Sequence, residues 1–361
     1  MTENVPLETL ADAGVITAMP TFFHEDGNVD HDRMHQLIDD QIDAGVGGLA
    51  FLVTTSQSTL IGDVEDRIGL AERFNDYVKG RVPVIIGAGN SDTRVAAGIV
   101  QGVTEAIGPT TFLCDSGDNL KLGNASVIRH YEVVGRALEA AGSTGIVYNN
   151  PGRKPHNISL HASFEIGAMP MWIGEKEASG NLDQVREKIS VGKSHGYLVM
   201  SGEDDQVYEI MELGGVGVIS GSASIAPQLF VRLVKAGKEA QQGHHEGWER
   251  VALYQAMISG PKIRQGLVDG AEMVTNPKYA GLFQAVFPDA KTVIRTGFIE
   301  GTRFPSPMTL NWMFGSHCRT PLDVPIPLEL QGHVRRCMGA YTQGTEMLDM
   351  TQYAGSPLTP R

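Results

Sequence analysis

Short apolar runs alternate with amphipathic stretches along the first two thirds of the chain. The runs are rich in β-branched residues and have Gly or Pro beside them. There are eight: GVITAM at Gly14, GGLAFLV at Gly47, VPVIIGAG at Val82, TTFLC at Thr110, TGIVYN at Thr144, MWIGEK at Met171, GYLVMSG at Gly196 and GVGVISG at Gly215. Runs of this kind are typical of parallel strands that are buried on both faces. The pattern therefore predicts eight buried strands.

The stretches between these runs predict helices. In VDHDRMHQLIDDQIDAG, four apolar residues share one helical face: Met34, Leu37, Ile38 and Ile42. Gly45 follows as a helix stop. Strands that alternate with helices predict an α/β fold, a (β/α)8 TIM barrel over residues 14–242. The alternative is an open doubly wound sheet, which would have a glycine-rich phosphate loop after its first strand. The segment TAMPTFFHEDGN is not such a loop, so the barrel is favoured.

The character of the sequence changes after residue 242. GHHEGWERVALYQAMISG is typical of a helix, and the later segment beginning FPSPMTLNWMFG mixes prolines with another amphipathic stretch. We therefore predict a C-terminal helical region over residues 243–347 and a short tail over residues 348–361.

Composition and charge narrow the class of protein. The chain has 361 residues and a formal net charge of −13, which disfavours a broad nucleic-acid surface. No apolar stretch approaches the length of a membrane span, and the N-terminus lacks the pattern of a secretory signal. The three cysteines, Cys114, Cys318 and Cys337, form no CxxC pair, which disfavours a disulfide framework. We therefore expect a cytoplasmic protein that binds neither nucleic acid nor membrane.

Chemistry in such barrels lies at the C-terminal ends of the strands. The sequence places four reactive or polar side chains there: Thr54, Thr55, Tyr148 and Lys176. Lys176 has a glutamate on each side, which is more often the setting of a solvated surface lysine. Inside a barrel, however, burial would lower its pKa and provide a free amine. Such an amine can attack a ketone and form an imine, an electron sink for making or breaking the adjacent carbon–carbon bond.

Several motifs occur in order over most of the chain. They are GVITAMPTFFHEDGNVD (14–30), VTTSQSTL (53–60), YNNPGR (148–153), GEKEASGN (174–181), SGEDD (201–205), GVISGSASIAP (217–227) and, more weakly, CRTPLDVPI (318–326). In these motifs the chain resembles the dihydrodipicolinate synthase / N-acetylneuraminate lyase family of Schiff-base aldolases. Each motif alone is weak, but the ordered set is specific.

The resemblance implies a role for each matching residue. Lys176 would form the imine, Tyr148 would relay protons above it, and Thr54 would hydrogen-bond the phenol. Thr55 would bind the carboxylate of pyruvate or a related 2-oxo acid. Arg153 matches the arginine that synthase-type members use for the carboxylate of the second substrate. Two residues at the end of the eighth strand would line the same pocket: Ser220 and Gly221.

The resemblance also implies the partners of the enzyme. No metal or nucleotide cofactor is expected, because the imine itself is the electron sink. The chain has no HExxH pattern, and the adjacent His244 and His245 are expected at the surface, so a metal-dependent aldolase is disfavoured. The partners are then a small-molecule 2-oxo acid and an aldehyde or sugar acid, with assembly as a homotetramer or homodimer.

Three positions depart from the family pattern. The usual Gly-Thr-Thr-Gly-Glu is VTTSQ here, at residues 53–57. A tyrosine that enters the neighbouring subunit's proton relay in dihydrodipicolinate synthases is missing after the fourth strand, where the aligned position is Ser116 or a residue next to it. Glu175 replaces an aliphatic residue before Lys176. Strand alternation directs Glu175 outward, where a buried carboxylate needs a basic or hydrogen-bonding partner.

Three functional hypotheses stay open. The leading one is a lyase or synthase that joins a 2-oxo acid to an aldehyde through an imine on Lys176, or runs the reverse cleavage. A dehydratase that removes water from a 2-oxo-3-deoxy sugar acid would use the same imine. The departures at residues 53–57 and at Ser116 also fit a non-catalytic barrel that serves as a binding or regulatory module.

Overall fold

The computed structural model describes residues 7, 10–24, 27–56, 58, 61, 63–117, 122–224, 226–244 and 246–259. These residues fall into two units. The first is drawn from residues 1–21 and 45–224, and the second from residues 22–44 and 225–361.

Eight parallel strands of the first unit form a closed barrel in which each strand pairs with the next along the chain. They are β1 (Val15–Ala18), β2 (Gly48–Phe51), β3 (Val84–Gly87), β4 (Thr111–Cys114), β5 (Thr144–Asn149), β6 (Trp172–Glu177), β7 (Leu198–Ser201) and β8 (Val218–Ser220). The barrel closes where β8 pairs with β1, with Val15 opposite Val218. The eight predicted strands and the (β/α)8 TIM barrel are confirmed.

Ten helices are described. They are α1 (Leu10–Ala13), α2 (His31–Asp43), α3 (Val64–Val78), α4 (Thr93–Ile107), α5 (Asn124–Ala140), α6 (Leu160–Gly167), α7 (Leu182–Gly192), α8 (Val207–Glu212), α9 (Pro227–Gln241) and α10 (Glu246–Ser259). Polar side chains fix several of the starts by accepting a backbone N–H bond. Asp63 does so in a reciprocal capping box with Asp66, and Asp92, Ser159 and Asn181 cap α4, α6 and α7. Within these described ranges, no helix is long and apolar enough to cross a bilayer.

The N-terminal end of the barrel is filled by the segment that precedes β1. Leu7, Leu10 and Ala13 are buried in one core cluster with inward-facing strand residues such as Ile16 and Ile219. The backbone of Leu7 is held at the starts of β4 and β5. Its N–H donates to Thr111 Oγ1 at 2.8 Å, and its carbonyl accepts from Thr144 Oγ1 at 3.3 Å. Because these residues close the N-terminal end of the barrel, a pocket can form only at its C-terminal end.

The second unit contains α2, α9 and α10. Of the predicted apolar face of α2, Met34, Leu37 and Ile38 are buried and Ile42 is partly buried. Helix α9 begins with a proline in its first turn, a position where the missing N–H costs nothing. Arg250 of α10 forms an ion pair with Glu239 of α9.

The predicted domain boundaries stay predictions. Helix α10 lies in the predicted C-terminal region over 243–347, but residues 260–361, including the predicted tail, Cys318 and Cys337, lie outside the described residues. Cys114 on β4 is a buried free thiol.

Strand β6, WIGEKE, is buried at all six positions although it carries three charges. Lys176 faces into the barrel, so its neighbours Glu175 and Glu177 face the surrounding helices. There, Lys188 Nζ of α7 lies 2.6 Å from Glu175 Oε1 and 2.6 Å from Glu177 Oε2, and all three side chains have no solvent exposure. Lys188 is thus the basic partner of Glu175 that the sequence did not identify.

Further donors complete this charged cluster. Glu175 Oε2 accepts from Ser163 Oγ at 2.9 Å and from Tyr197 Oη at 3.2 Å. Glu177 accepts from Asn149 Nδ2 at 3.0 Å and from the Ser179 N–H at 2.7 Å. A buried charge is tolerated when it is both paired and hydrogen-bonded, and these contacts meet that requirement.

The pKa shifts follow from this arrangement. Burial raises the pKa of Glu175 to about 7, although Lys188 opposes the shift. Burial alone would also raise the pKa of Glu177, but the ion pair with Lys188 outweighs it and the pKa is lowered. The two carboxylates likewise outweigh burial at Lys188 and raise its pKa.

Replacement of Lys188 by Met should destabilise the barrel strongly. The change leaves two buried carboxylates without their cation, a loss of about 3–5 kcal/mol in the free energy of unfolding. Chemical denaturation at pH 7.5 measures it. The matched control is Arg186→Met on the same helix, because Arg186 pairs with Asp183 in solvent and should contribute within about 0.5 kcal/mol.

The destabilisation should also depend on pH. Without Lys188, burial should raise the pKa of both Glu175 and Glu177 in the folded state above their values in the unfolded state. The folded state then binds more protons than the unfolded state, so the variant gains stability as the pH falls. The deficit of Lys188→Met should therefore shrink between pH 8 and pH 5. A deficit under about 1 kcal/mol at pH 7.5, or one that grows as the pH falls, would contradict the assignment of Lys188 as the compensating charge.

Candidate active site

A pocket that opens to solvent lies at the C-terminal end of the barrel. Its lining combines polar side chains, apolar side chains and two glycines: Leu52, Val53, Thr54, Thr55, Ser58, Gly87, Gly89, Leu113, Asp115, Tyr148 and Lys176. The structure therefore brings together four side chains that the sequence predicted at the ends of β2, β5 and β6: Thr54, Thr55, Tyr148 and Lys176.

The Lys176 side chain projects into this pocket from β6 and is only 6% exposed. Its strand neighbour on β5 is Tyr148, and Lys176 Nζ lies 4.6 Å from the centroid of the Tyr148 ring. On the other side, a Cβ atom added at Gly202 would lie 3.0 Å from Lys176 Cγ. Glycine at 202 thus leaves room for the lysine stem beside the end of β7.

The amine of Lys176 is poised to lose its proton. Burial, with a further contribution from the positive charge of Arg153, lowers its pKa from 10.5 to about 8. Asp204 and Glu203 act in the opposite direction. At pH 7 a group with a pKa of about 8 is free amine in about one molecule in ten, far more than an ordinary lysine. A usable nucleophile is present at neutral pH.

The phenol of Tyr148 is held by a neighbour on its own loop. Asn150 Nδ2 donates to Tyr148 Oη at 2.9 Å, and burial raises the pKa of Tyr148. The sequence predicted Thr54 as the partner of this phenol. In the structure Thr54 lines the same pocket, whereas the hydrogen bond to the phenol comes from Asn150. The buried, neutral phenol can both accept and donate a proton next to the amine.

A carboxylate forms another part of the pocket wall. Asp115 follows β4 directly, and its Oδ2 lies 3.3 Å from Nζ of the buried Lys154. Its Oδ1 accepts from the Gly117 N–H at 2.8 Å. Asp115 was not among the residues predicted from the sequence. Its position at a strand end was the available signal, but nothing in the sequence showed that it points into the pocket.

The remaining predicted site residues lie around the pocket rather than in its lining, as far as the described residues show. Arg153 is half-buried in the loop after β5, and its charge lowers the pKa of Lys176. Ser220 Oγ accepts from the Ala223 N–H at 3.0 Å, so this hydroxyl supports the turn after β8. A Cβ atom added at Gly221 would lie 3.3 Å from Thr55 Cγ2, so the glycine gives Thr55 its space.

Comparison with known proteins identifies the group to which this barrel belongs. The family model described as the dihydrodipicolinate synthetase family matches residues 11–255. The chain belongs to this family. A 4-hydroxy-tetrahydrodipicolinate synthase of Pseudomonas aeruginosa is 33% identical over 225 residues, which are 62% of this chain and 75% of that protein.

Solved structures show the same relationship. A pyruvate complex of a prophage protein from E. coli K12, itself a member of the dihydrodipicolinic acid synthase family, is 26% identical with a TM-score of 0.62, covering 71% of this chain and 85% of that one. A monomeric dihydrodipicolinate synthase variant is 25% identical with a TM-score of 0.66, covering 91% of this chain and 97% of that one. As a family member, this chain is a lyase of the Schiff-base, class I aldolase type that acts on small molecules.

The departure at residues 53–57 is accommodated without the family's glycines. Among the described residues of this loop, the left-handed backbone falls on Leu52, at φ 57°, so Val53 needs no glycine. Ser56 is buried and fixes the loop, because its Oγ accepts from the Val53 N–H at 3.2 Å and donates to the Met19 carbonyl at 2.6 Å. Gln57 lies outside the described residues.

At Ser116, another position that departs from the family pattern, the side chain pairs with another residue of the same chain. Ser116 Oγ is hydrogen-bonded to His156 Nε2, and both side chains are buried. The resemblance implies that a tyrosine is missing near this position, and a hydroxyl–imidazole pair lies here. In the part of the chain that the structure describes, no group of three His, Cys, Asp or Glu residues is placed to hold a metal ion.

The reactivity of Lys176 towards an amine reagent should report its lowered pKa. We expect the rate of trace acetylation by acetic anhydride, normalised to a reference amine and read at Lys176 by peptide mass spectrometry, to reach half its plateau near pH 8. An ordinary lysine titrates near pH 10.4. Arg153→Met removes a neighbouring positive charge, so its midpoint should move to higher pH.

This prediction has two ways to be wrong. A wild-type rate that still rises beyond pH 10 would show that the amine is not desolvated. A midpoint that stays in place in Arg153→Met would show that the guanidinium does not act on the amine.

Proposed function

We propose that the chain binds pyruvate or a related 2-oxo acid as an imine on Lys176 and joins it to an aldehyde, or runs the reverse cleavage. The observation that carries this proposal is the buried amine of Lys176, with a pKa of about 8, placed 4.6 Å from the Tyr148 ring centroid. The crystal structure of the prophage relative is a complex with pyruvate, which supports the choice of 2-oxo acid.

The first step joins the amine to the ketone. The nitrogen lone pair of Lys176 attacks the ketone carbon, and a carbon–nitrogen bond forms. Tyr148 donates its phenolic proton to the former ketone oxygen and takes one back from the nitrogen. A second transfer of the same kind gives the oxygen its other proton, and it leaves as water when the carbon–oxygen bond breaks. The products are one imine and one water, and no oxidant or reductant takes part.

The second step makes the carbon–carbon bond. Loss of a proton from the carbon next to the imine gives an enamine, which attacks the aldehyde carbon while the aldehyde oxygen takes up a proton. Water then hydrolyses the imine, releases the product and restores the lysine amine. The reverse sequence is the lyase direction.

The other predicted residues receive binding roles under this proposal. Thr54 and Thr55 follow β2 and line the pocket, where their hydroxyls can donate to the carboxylate of the 2-oxo acid. Gly221 supports Thr55 by leaving it space, and Ser220 shapes the turn behind it. Arg153 would attract the carboxylate of a second substrate from the side of the pocket.

A dehydratase is the second candidate, and the polar wall at Asp115 is the observation that favours it. In that reaction a 2-oxo-3-deoxy sugar acid forms the imine, loses a proton from its third carbon and expels the hydroxyl of its fourth carbon as water. Product analysis over aldehydes and sugar acids separates the two reactions.

The oligomeric state stays a prediction. We propose a homodimer or homotetramer, and sedimentation velocity of the purified chain measures it. The Ser116–His156 pair makes the oligomeric state informative, because the resemblance implies that dihydrodipicolinate synthases place an intersubunit tyrosine near this position.

Reductive trapping should place the imine on Lys176. Incubation with pyruvate followed by borohydride should give a stable adduct that peptide mass mapping assigns to Lys176. Lys176→Met should give none at the matching peptide. The matched control is Lys193→Met, which removes an exposed lysine and should leave trapping unchanged. Tyr148→Phe should slow trapping by about 100-fold or more, the usual contribution of a proton-transfer group.

Two results would count against the proposal. One is the lack of an adduct with any 2-oxo acid tested at pH 8, where the amine is half deprotonated. The other is an adduct that maps to another lysine and persists in Lys176→Met.

A further inference from the structure

The carboxylate of Asp115 is built into the pocket wall by several contacts. Gly117 donates its backbone N–H to Oδ1 at 2.8 Å, and Lys154 Nζ lies 3.3 Å from Oδ2. Gly89 provides the space on the remaining side, because a Cβ atom there would overlap the Asp115 carboxylate. Both Gly89 and Asp115 line the pocket that contains Lys176. The carboxylate is therefore a held acceptor that faces the same space as the reacting amine.

The charge of Asp115 is offset by cations behind and beside it. The side chain of Lys154 is 6% exposed and that of Asp115 is 14% exposed, so water screens their attraction only in part. The negative charge of Asp115 also acts on the buried Arg67, which donates to the Gly87 carbonyl at 2.9 Å. Two cations therefore lie near this carboxylate, in a pocket that also contains the amine of Lys176.

We propose that Asp115 is a specificity-determining residue that accepts a hydrogen bond from a hydroxyl group of the aldehyde partner. This rests on the proposed function, since the aldehyde meets the imine of Lys176 in this pocket. The substrate class is then the hydroxylated aldehydes and the 2-oxo sugar acids that they form.

A hydroxyl fits this wall better than the other groups an aldehyde might carry. An apolar chain would remove water from Asp115 without replacing its hydrogen bonds, which is unfavourable for a charged acceptor. A carboxylate placed against Asp115 would be repelled. An ammonium group beside Asp115 would be repelled by the positive charges of Lys154 and Lys176. Arg153, whose charge also acts on Lys176, would add to this repulsion. A neutral hydroxyl donates a short, charge-assisted hydrogen bond and adds no charge.

The test compares aldehydes of equal length with pyruvate as co-substrate. We expect kcat/KM for glyceraldehyde to exceed that for propanal, and Asp115→Asn to reduce this ratio by about tenfold or more. The ratio of kcat/KM for the two aldehydes within one protein does not depend on the total activity of that protein. The change in this ratio between two proteins does not depend on the intrinsic reactivity of the aldehydes. Asp183→Asn is the control, because it removes one exposed carboxylate on α7 and should leave the ratio unchanged.

A second variant tests the position of the carboxylate rather than its charge. Gly89→Ala keeps Asp115 ionisable but displaces it, because the added methyl overlaps the carboxylate. The glyceraldehyde-to-propanal ratio should fall in this variant too. Aminoacetaldehyde and succinic semialdehyde, which carry an ammonium and a carboxylate, complete the panel.

The outcomes separate this inference from the proposed function. Borohydride trapping with pyruvate alone is measured first in each protein. Without a trapped adduct in the wild type, the proposed function fails whatever the aldehyde panel shows. With an adduct, a glyceraldehyde-to-propanal ratio that is the same in the wild type and in Asp115→Asn overturns the role of Asp115. The role is also overturned if Asp115→Asn lowers kcat/KM more for aminoacetaldehyde than for glyceraldehyde. Should Asp115→Asn fail to fold, a wild-type kcat/KM for propanal equal to or above that for glyceraldehyde overturns it alone.

Discussion

The two-residue alternation of β6 governs the chemistry of this barrel. Lys176 can face the pocket only if Glu175 and Glu177 face the helices, because successive side chains of a strand point to opposite sides. The amine needs a dry setting to lose its proton, and the same dryness makes the two outward carboxylates expensive. Lys188 resolves this conflict by bonding both carboxylates at 2.6 Å. The buried amine on one face of the strand and the paired carboxylates on the other therefore follow from the same constraint.

The charged cluster also makes the register of β6 specific. Apolar residues of similar volume would often stabilise a core as well as a buried ion pair does. A one-residue slip of β6, however, would turn Lys176 towards Lys188 and bring both glutamates into the barrel. Such a slip leaves like charges together in a region with no water to screen them. An apolar strand would not penalise the slip in this way, so the cluster favours the one alignment that presents the amine to the pocket.

The sequence predicted the strands and the inward position of Lys176 because both depend on short-range patterns. Eight apolar runs at regular places fix the barrel, and alternation alone directs Glu175 outward. Its partner was not predictable, because Lys188 lies on an amphipathic helix where a lysine is ordinarily taken for a surface residue. Asn150 and Asp115 were missed for a different reason. Both follow strands in irregular loops, where no periodicity tells which way a side chain points, and the Ser116–His156 contact joins residues 40 positions apart.

The pocket also shows how a site can depart from its family pattern without losing its shape. At residues 53–56 the glycines are absent, yet the left-handed position falls on Leu52, and Ser56 ties the loop to β1. A buried leucine at φ 57° carries backbone strain that glycine would avoid. The loop holds this conformation because Ser56 bonds both the Val53 N–H and the Met19 carbonyl. A serine with two hydrogen bonds therefore fixes the loop that carries Thr54 and Thr55.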